Sequence, residues 1–195
     1  MNLELSADEI KKREITGESQ EIMLALNKQL HVADTDTPLE IRKKIKILML
    51  AMQKFIDTYN IIRIDPPVKH TFTDGMYIRQ WFGPAGTLVV GKIHTKAHIL
   101  FVLSGTCSIT TEESKTKIYA APALVEFNAG LQKVVFCHTD TLLATVHVTD
   151  GRKTEADLPE IEREAVTMSY ADVGKEDPIV DEWDLLDLYE NRRIE

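Results

Sequence analysis

Between residues 76 and 148 the chain breaks into eight short segments rich in β-branched and aromatic residues, and no other feature constrains its fold as tightly. They run Met76 to Phe82, Thr87 to His94, His98 to Leu103, Thr106 to Thr111, Lys117 to Ala120, Leu124 to Phe127, Lys133 to His138 and Thr141 to Val148. Turn formers punctuate them, including Asp74-Gly75 and Gly83-Pro84, and Asp150-Gly151 closes the series. Segments this short and close leave no room for the crossover helices of a parallel sheet, so the pattern predicts an antiparallel sandwich or barrel. At 195 residues the chain is long enough for one such core with extensions.

The flanks read as helices. Ser6-Ala7-Asp8-Glu9 fits a capping box, Gly17 interrupts the helix it starts, and Glu18 to His31 carries Ile22, Leu26 and Leu30 on one stripe. Thr37-Pro38-Leu39-Glu40 combines an N-cap threonine, a proline at the first helical position and a glutamate able to reach back. The helix it opens, to about Asn60, puts Ile41, Ile45, Leu48, Met52 and Ile56 on one face and Lys43, Lys44 and Lys46 on another. After Gly151 the spacing predicts helices near Leu158 to Tyr170 and Asp181 to Arg193, the second with an apolar stripe of Trp183, Leu186 and Tyr189. The expected division is therefore a helical extension over 1–60, a β-barrel over 61–149 and an acidic helical extension over 150–195. Helices 38–60 and 181–193 are the expected contacts with another copy of the chain or with other assembly proteins.

Charge narrows the partners. Of the net −8, most sits in residues 150–195, which hold 15 acidic against 6 basic side chains, while residues 60–149 hold 6 against 8. No basic footprint for a phosphate backbone is present, so direct nucleic-acid binding is not expected. No run of eighteen apolar residues exists and the N-terminus lacks a basic segment followed by an apolar one, which predicts a soluble, cytoplasmic protein without a membrane span. Cys107 and Cys137, each inside a strand-like segment, read as buried thiols.

The candidate site centres on histidines. If Thr95-Lys96-Ala97 is a hairpin loop, His94 and His98 lie side by side on one face, sharing parity with Val90, Lys92, Leu100 and Val102. His147 shares a face with Leu143 and Thr145, and a barrel brings it inward. Three neutral imidazoles in a dry cavity suit a divalent metal such as zinc, iron, nickel or manganese, which makes His94, His98 and His147 the candidate metal ligands. Inward lysines would repel a cation, and without a metal the same pocket suits a small anionic or polar molecule held by Lys92, Glu126 and Lys133. His31, His70 and His138 are expected in surface or structural roles. No nucleophile elbow, phosphate loop or metalloprotease helix is present, and Glu126 is the one acid in the later strands able to act as a base.

The stretch from Gly86 to Gly105 resembles the first motif of the cupin superfamily, in which a glycine, five residues, His-x-His, three or four residues, a glutamate, six residues and a glycine follow in order. Gly86, His94 and Gly105 are in register, whereas Lys92 stands where the first histidine belongs and His98 where the glutamate belongs. Asn128 to Lys133 matches the second motif in Gly130 only, with Lys133 at the place of the last metal histidine. The string Thr145-Val146-His147-Val148-Thr149 is similar to one in small cupin-like proteins of tailed bacteriophages. The resemblance implies a mainly β chain with one cupin-type antiparallel barrel or jelly roll, located in the host cytoplasm or the virion. Three functions follow as expectations: a non-enzymatic protein binding a metal or small polar ligand, a virion structural or assembly scaffold, and a metal-dependent enzyme.

Overall fold

The computed structural model describes residues 17–59, 67–181 and 183–184. The helix expected from Ser6 and most of the helix expected over 181–193 lie outside the described residues.

Nine strands build the main fold: β1 (Val68–Gly83), β2 (Leu88–Val90), β3 (Ile93–His94), β4 (His98–Ser104), β5 (Thr106–Thr111), β6 (Lys115–Ala120), β7 (Ala123–Phe127), β8 (Val134–Cys137) and β9 (Thr141–Arg152). A tenth, β10 (Val166–Thr167), pairs with β3. One antiparallel sheet has the order β1-β9-β4-β7 and the other β2-β8-β5-β6. Successive strands cross repeatedly from one sheet to the other, which is the winding of a double-sheet jelly roll. Among the described residues no ladder joins the two sheets, so the expected barrel is an open sandwich.

Strand β1 folds back on itself. The Phe82 amide donates to the Pro67 carbonyl at 3.3 Å, although fifteen extended residues would span about 50 Å. The expected Asp74-Gly75 turn makes the reversal, with Gly75 at φ +75°. The expected stop at Asp150-Gly151 does not occur, because β9 continues to Arg152, which pairs with Asp74.

Alternation along the strands sets the core. Trp81, Leu143, Leu100, Val102 and Val125 point inward from the first sheet and meet Cys107, Ile109, Val135 and Cys137 from the second. Both thiols are buried and free. The other side of the second sheet is also covered. Leu88, Val134 and Phe136 pack beneath Leu26 of α1 (Gly17–Gln29), Leu30 just after it, and Ile41, Ile45, Leu48 and Ala51 of α2 (Pro38–Tyr59). Every residue of β8 is consequently buried, half of them under each layer. The cap expected before α2 forms, with Glu40 accepting from the Thr37 amide at 2.7 Å and Thr37 Oγ1 accepting from the Glu40 amide at 3.3 Å. The apolar stripe of α2 is thus spent on the chain's own sheet.

The outer side of the first sheet is different. Strand β1 contributes Met76, Ile78 and Phe82 to it, and β9 contributes Val146 and Val148. Ile99, Phe101 and Leu103 of β4 and Leu124 of β7 continue the same apolar face. Met76, Ile99, Leu103, Leu124 and Val148 are exposed.

After β9, a short 3-10 turn leads into α3 (Leu158–Ala165). The expected helix to Tyr170 ends at Ala165 because Val166 and Thr167 leave it to pair with His94 and Ile93. The last described segment is tied down by a buried ion pair. Arg42 Nε of α2 lies 2.7 Å from Glu112 Oε2, Lys175 Nζ contacts Glu112 Oε1, and Arg42 stands 5.1 Å from the centre of the Tyr170 ring.

Candidate functional site

The inner face of the first sheet carries a row of rings across three strands and their neighbour. Tyr77 of β1 stacks on His147 of β9 at 5.8 Å, His147 lies 5.4 Å from His98 of β4, and His98 lies 5.4 Å from Phe127 of β7. Tyr77 is the direct register partner of His147, and His98 that of Phe127, so the row follows from pairing and two-residue alternation. On the folded-back arm of β1, His70 Nδ1 lies 2.7 Å from the Tyr77 hydroxyl, and Phe72 stacks on Tyr77 at 5.3 Å.

His94 joins the row from outside the sheet. The loop Thr95-Lys96-Ala97 is not the expected hairpin, since β3 pairs with β10 while β4 pairs with β7 and β9. It is a corner between layers, fastened where the Thr95 amide donates to the Ala165 carbonyl at 2.9 Å. The corner nevertheless lays His94 on His98 at 3.9 Å and places it 5.3 Å from His147. His94 Nδ1 is buried with no partner among the described residues.

Lys133 reaches the same cluster from the opposite sheet, where it precedes β8 and shares the inward parity of Val135 and Cys137. Its ammonium contacts His98 Nε2 and stands 4.7 Å above the Phe127 ring. His98 Nδ1 lies 3.2 Å from the Lys96 carbonyl. A carbonyl only accepts, so Nδ1 carries the ring proton and Nε2 presents its lone pair to Lys133. Lys133 is 6% exposed, and among the described residues no carboxylate pairs with it. Arg79, exposed on β1 two residues beyond Tyr77, adds a second positive charge nearby.

These surroundings move the titrations in one direction. Burial, then the charge of Arg79, pulls Lys133 down to about 7. Burial and the charge of Lys133 pull His98 down to about 3 and His147 to about 4, and drive His94 lower still. The imidazoles are therefore neutral across the physiological range.

The expected set is thus partly assembled. His94, His98, His147 and Lys133 converge, whereas Lys92 and Glu126 do not. Val90 packs with Leu88 towards the helix layer and not into the sandwich, so Lys92, on the same parity, lies outside the cluster and faces solvent with Nζ 3.9 Å from Glu162. Glu126 lies between the inward Val125 and Phe127 and is exposed. Tyr77, Arg79 and Phe127 were not among the expected site residues. Their alternation with Trp81 and Val125 was the available signal.

The cluster does not fit the expected metal centre. A metal lies in the plane of each ligating ring, along the nitrogen lone pair. Here the rings of His94 and His98 lie one over the other, 3.9 Å apart and within 21° of parallel. The His98 lone pair already faces Lys133, a like charge to any metal cation. Among the described residues no group of three or more His, Cys, Asp or Glu side chains is placed to hold a metal ion.

No family model matches the chain, and no curated protein matches it. Solved structures with a similar fold include a cupin-2 domain protein from Shewanella frigidimarina, at 10% identity over 50% of this chain and 99% of that one, with a TM-score of 0.38. An RmlC-like cupin family protein with a double-stranded β-helix fold from Methanocaldococcus jannaschii is 13% identical over 45% of this chain and 84% of that one, with a TM-score of 0.38. A conserved protein with a double-stranded β-helix domain from Klebsiella pneumoniae is 13% identical over 51% of this chain and 95% of that one, with a TM-score of 0.40. No described helix is long and apolar enough to cross a membrane.

Proposed function

We propose that this chain is a non-catalytic, cupin-type binding protein that holds a small anionic molecule at the Lys133 end of its sandwich. The observation that carries this reading is the Lys133 ammonium, buried with no carboxylate partner among the described residues, beside neutral imidazoles and Arg79. An unpaired buried cation is unfavourable, and an anion that reaches it gains a charge-assisted hydrogen bond in a weakly screened setting. Neutral His94 supplies a further polar edge through its unpartnered Nδ1. The stacked rings offer apolar walls. Nothing in the arrangement pairs a nucleophile with a base, so binding rather than turnover is the chemistry it supports.

The test is thermal stabilisation by inorganic phosphate, sulfate, oxalate and citrate at pH 6 and pH 8. Binding should be tighter at pH 6, where Lys133 is charged, and absent from Lys133→Met at both values. If none of the four anions raises the melting temperature at pH 6, or if Lys133→Met responds as the wild type does, the reading fails.

A further inference from the structure

The anion site beside Lys133 is shut. Tyr77, His98, Phe127, Lys133 and His147 are all buried. Between His147 and α3 lies a void lined by Ala97, Ile161 and Ala165, and at about 10 Å³ it has room for one water. Oxalate, phosphate and citrate are all larger than a water, so part of the wall must move before any of them reaches the ammonium.

Most of that wall resists movement. Strands β1, β9, β4 and β7 form one continuous sheet, and every residue of β8 is buried. The cleft between edge strands β6 and β7 is wider, at about 380 Å³, but Phe127 and Leu131 line its buried side. Both belong to the core, where a displaced side chain leaves a void.

The segment formed by α3 and β10 is held lightly by comparison. It is tied to the sandwich by the short ladder on Ile93 and His94, by the Thr95 amide and hydroxyl on the carbonyls of Ala165 and Glu164, and by one buried side chain of α3, Ile161. Its remaining links are ion pairs in solvent, Lys92 to Glu162 and Lys96 to Glu164 at 3.9 Å and Lys153 to Glu160 at 3.6 Å. Exposed pairs of this kind are weak and screened by salt. We infer, resting on the anion-binding reading of the Lys133 site, that α3 and β10 form a lid over that site, which lifts to admit the anion and closes behind it.

The lid is anchored at both ends. Arg152 of β9 pairs with Asp74 before it, and after it the buried Tyr170 donates its hydroxyl to Gln132 at 3.3 Å, so the movement is confined to residues 153–168. Lifting also changes the charge at the mouth. Lys96 and Lys153 line the void beside His147, and Lys92 lies two residues before His94. Once the glutamates of α3 leave them, these three cations draw an anion towards the opening.

A lock on the lid tests the inference. Thr95 and Ala165 stand opposite each other, and the 2.9 Å bond from the Thr95 amide makes theirs a hydrogen-bonded pair. Such pairs set Cα atoms about 5.5 Å apart, within reach of a disulfide. Thr95→Cys with Ala165→Cys, oxidised, should lose the heat of citrate binding at pH 6 that the reduced form gives, and dithiothreitol should restore it. Amide exchange on the wild type checks the lid without a lock. The Thr95 amide should exchange at least about tenfold faster than that of Cys137, which donates to Thr87, and faster again in raised salt. A locked protein that binds citrate as the reduced one does overturns the lid and leaves the anion site with another entrance. So does a Thr95 amide as protected as that of Cys137 and indifferent to salt, whether or not the disulfide forms. If citrate binds neither the reduced variant nor the wild type, the anion site itself fails and the lid with it.

Discussion

Lys133 and His98 meet in the interior from opposite sheets, the ammonium of one on the Nε2 of the other. Burial disfavours both cations, the charge of Lys133 lowers His98 further, and that of Arg79 lowers Lys133 further. Linkage turns this into a dependence of stability on pH. Lys133 titrates at about 7 when folded against 10.5 in the unfolded chain, so above pH 7 the unfolded state binds the extra proton and stability rises with pH. Above about pH 9 the buried thiols Cys107 and Cys137, pushed up to about 11 and about 12, act in the opposite sense. Between pH 7 and 8.5, urea denaturation should therefore show the wild type gaining about 1 to 2 kcal/mol. Lys133→Met should be flat over the same interval.

The histidines extend the same dependence to lower pH. His98 and His147 titrate at about 3 and about 4 when folded against 6.5 unfolded, so between pH 6.5 and 4 the unfolded state takes up protons that the folded state refuses. Stability falls as pH falls through that window, by about 4 kcal/mol at pH 5 from these two groups. His147→Phe keeps a ring stacked on Tyr77 and removes one titrating group. Denaturation midpoints at pH 7 and pH 5 should lie closer together in that variant than in the wild type, and an unchanged separation would show that His147 does not contribute.

The chemistry of the turn glycine Gly105 gives a local prediction. It sits at φ +79°, and a Cβ built on it would stand 2.2 Å from the Asp140 carbonyl oxygen and 2.7 Å from Thr141 Oγ1. Gly105→Ala combines left-handed strain with a clash against backbone, and neither can relax cheaply. Thermal unfolding should show a loss of about 2 to 4 kcal/mol, with the register of β5 on β6 disturbed in amide exchange.

Strand positions, the α2 cap and the inward parity of His98, Lys133 and His147 were legible in the sequence because each depends on local spacing. The glycines Gly86 and Gly105 were legible for a related reason, since both occupy positive φ at turns. What escaped was set by tertiary pairing. Whether Thr95-Lys96-Ala97 joins two strands of one sheet or crosses between layers depends on β10, seventy residues away. The inward placing of Lys92 failed because Val90, whose parity it shares, faces the helix layer and not the interior, which local spacing does not distinguish. The bare sheet face could not be told from a covered one, because β8 and β4 are both rich in apolar residues and only the packing of α2 distinguishes them.

The buried Glu112 was equally illegible, and it carries the last prediction. Thr111-Glu112-Glu113-Ser114 reads as a polar turn, yet Glu112 is buried against Arg42 of α2 and Lys175 of the last segment. Arg42 in turn donates to the Glu176 carbonyl, and Asp177 accepts from the Tyr170 amide at 2.8 Å, so one carboxylate helps fasten both the helix layer and residues 170–177 to the sandwich. Glu112→Gln keeps the shape and removes the charge, which leaves the buried Arg42 guanidinium uncompensated. Breaking such a pair from one side costs about 3 kcal/mol, more than its net contribution when intact, because the stranded charge stays buried. Thermal melts should show a loss of that order, and limited trypsin digestion should become fast at Lys175, whose ammonium no longer has its carboxylate. The double variant Arg42→Met with Glu112→Gln should recover a good part of the lost stability while cleavage at Lys175 stays fast. Equal losses in the single and double variants would mean that the ion pair does not act as a unit.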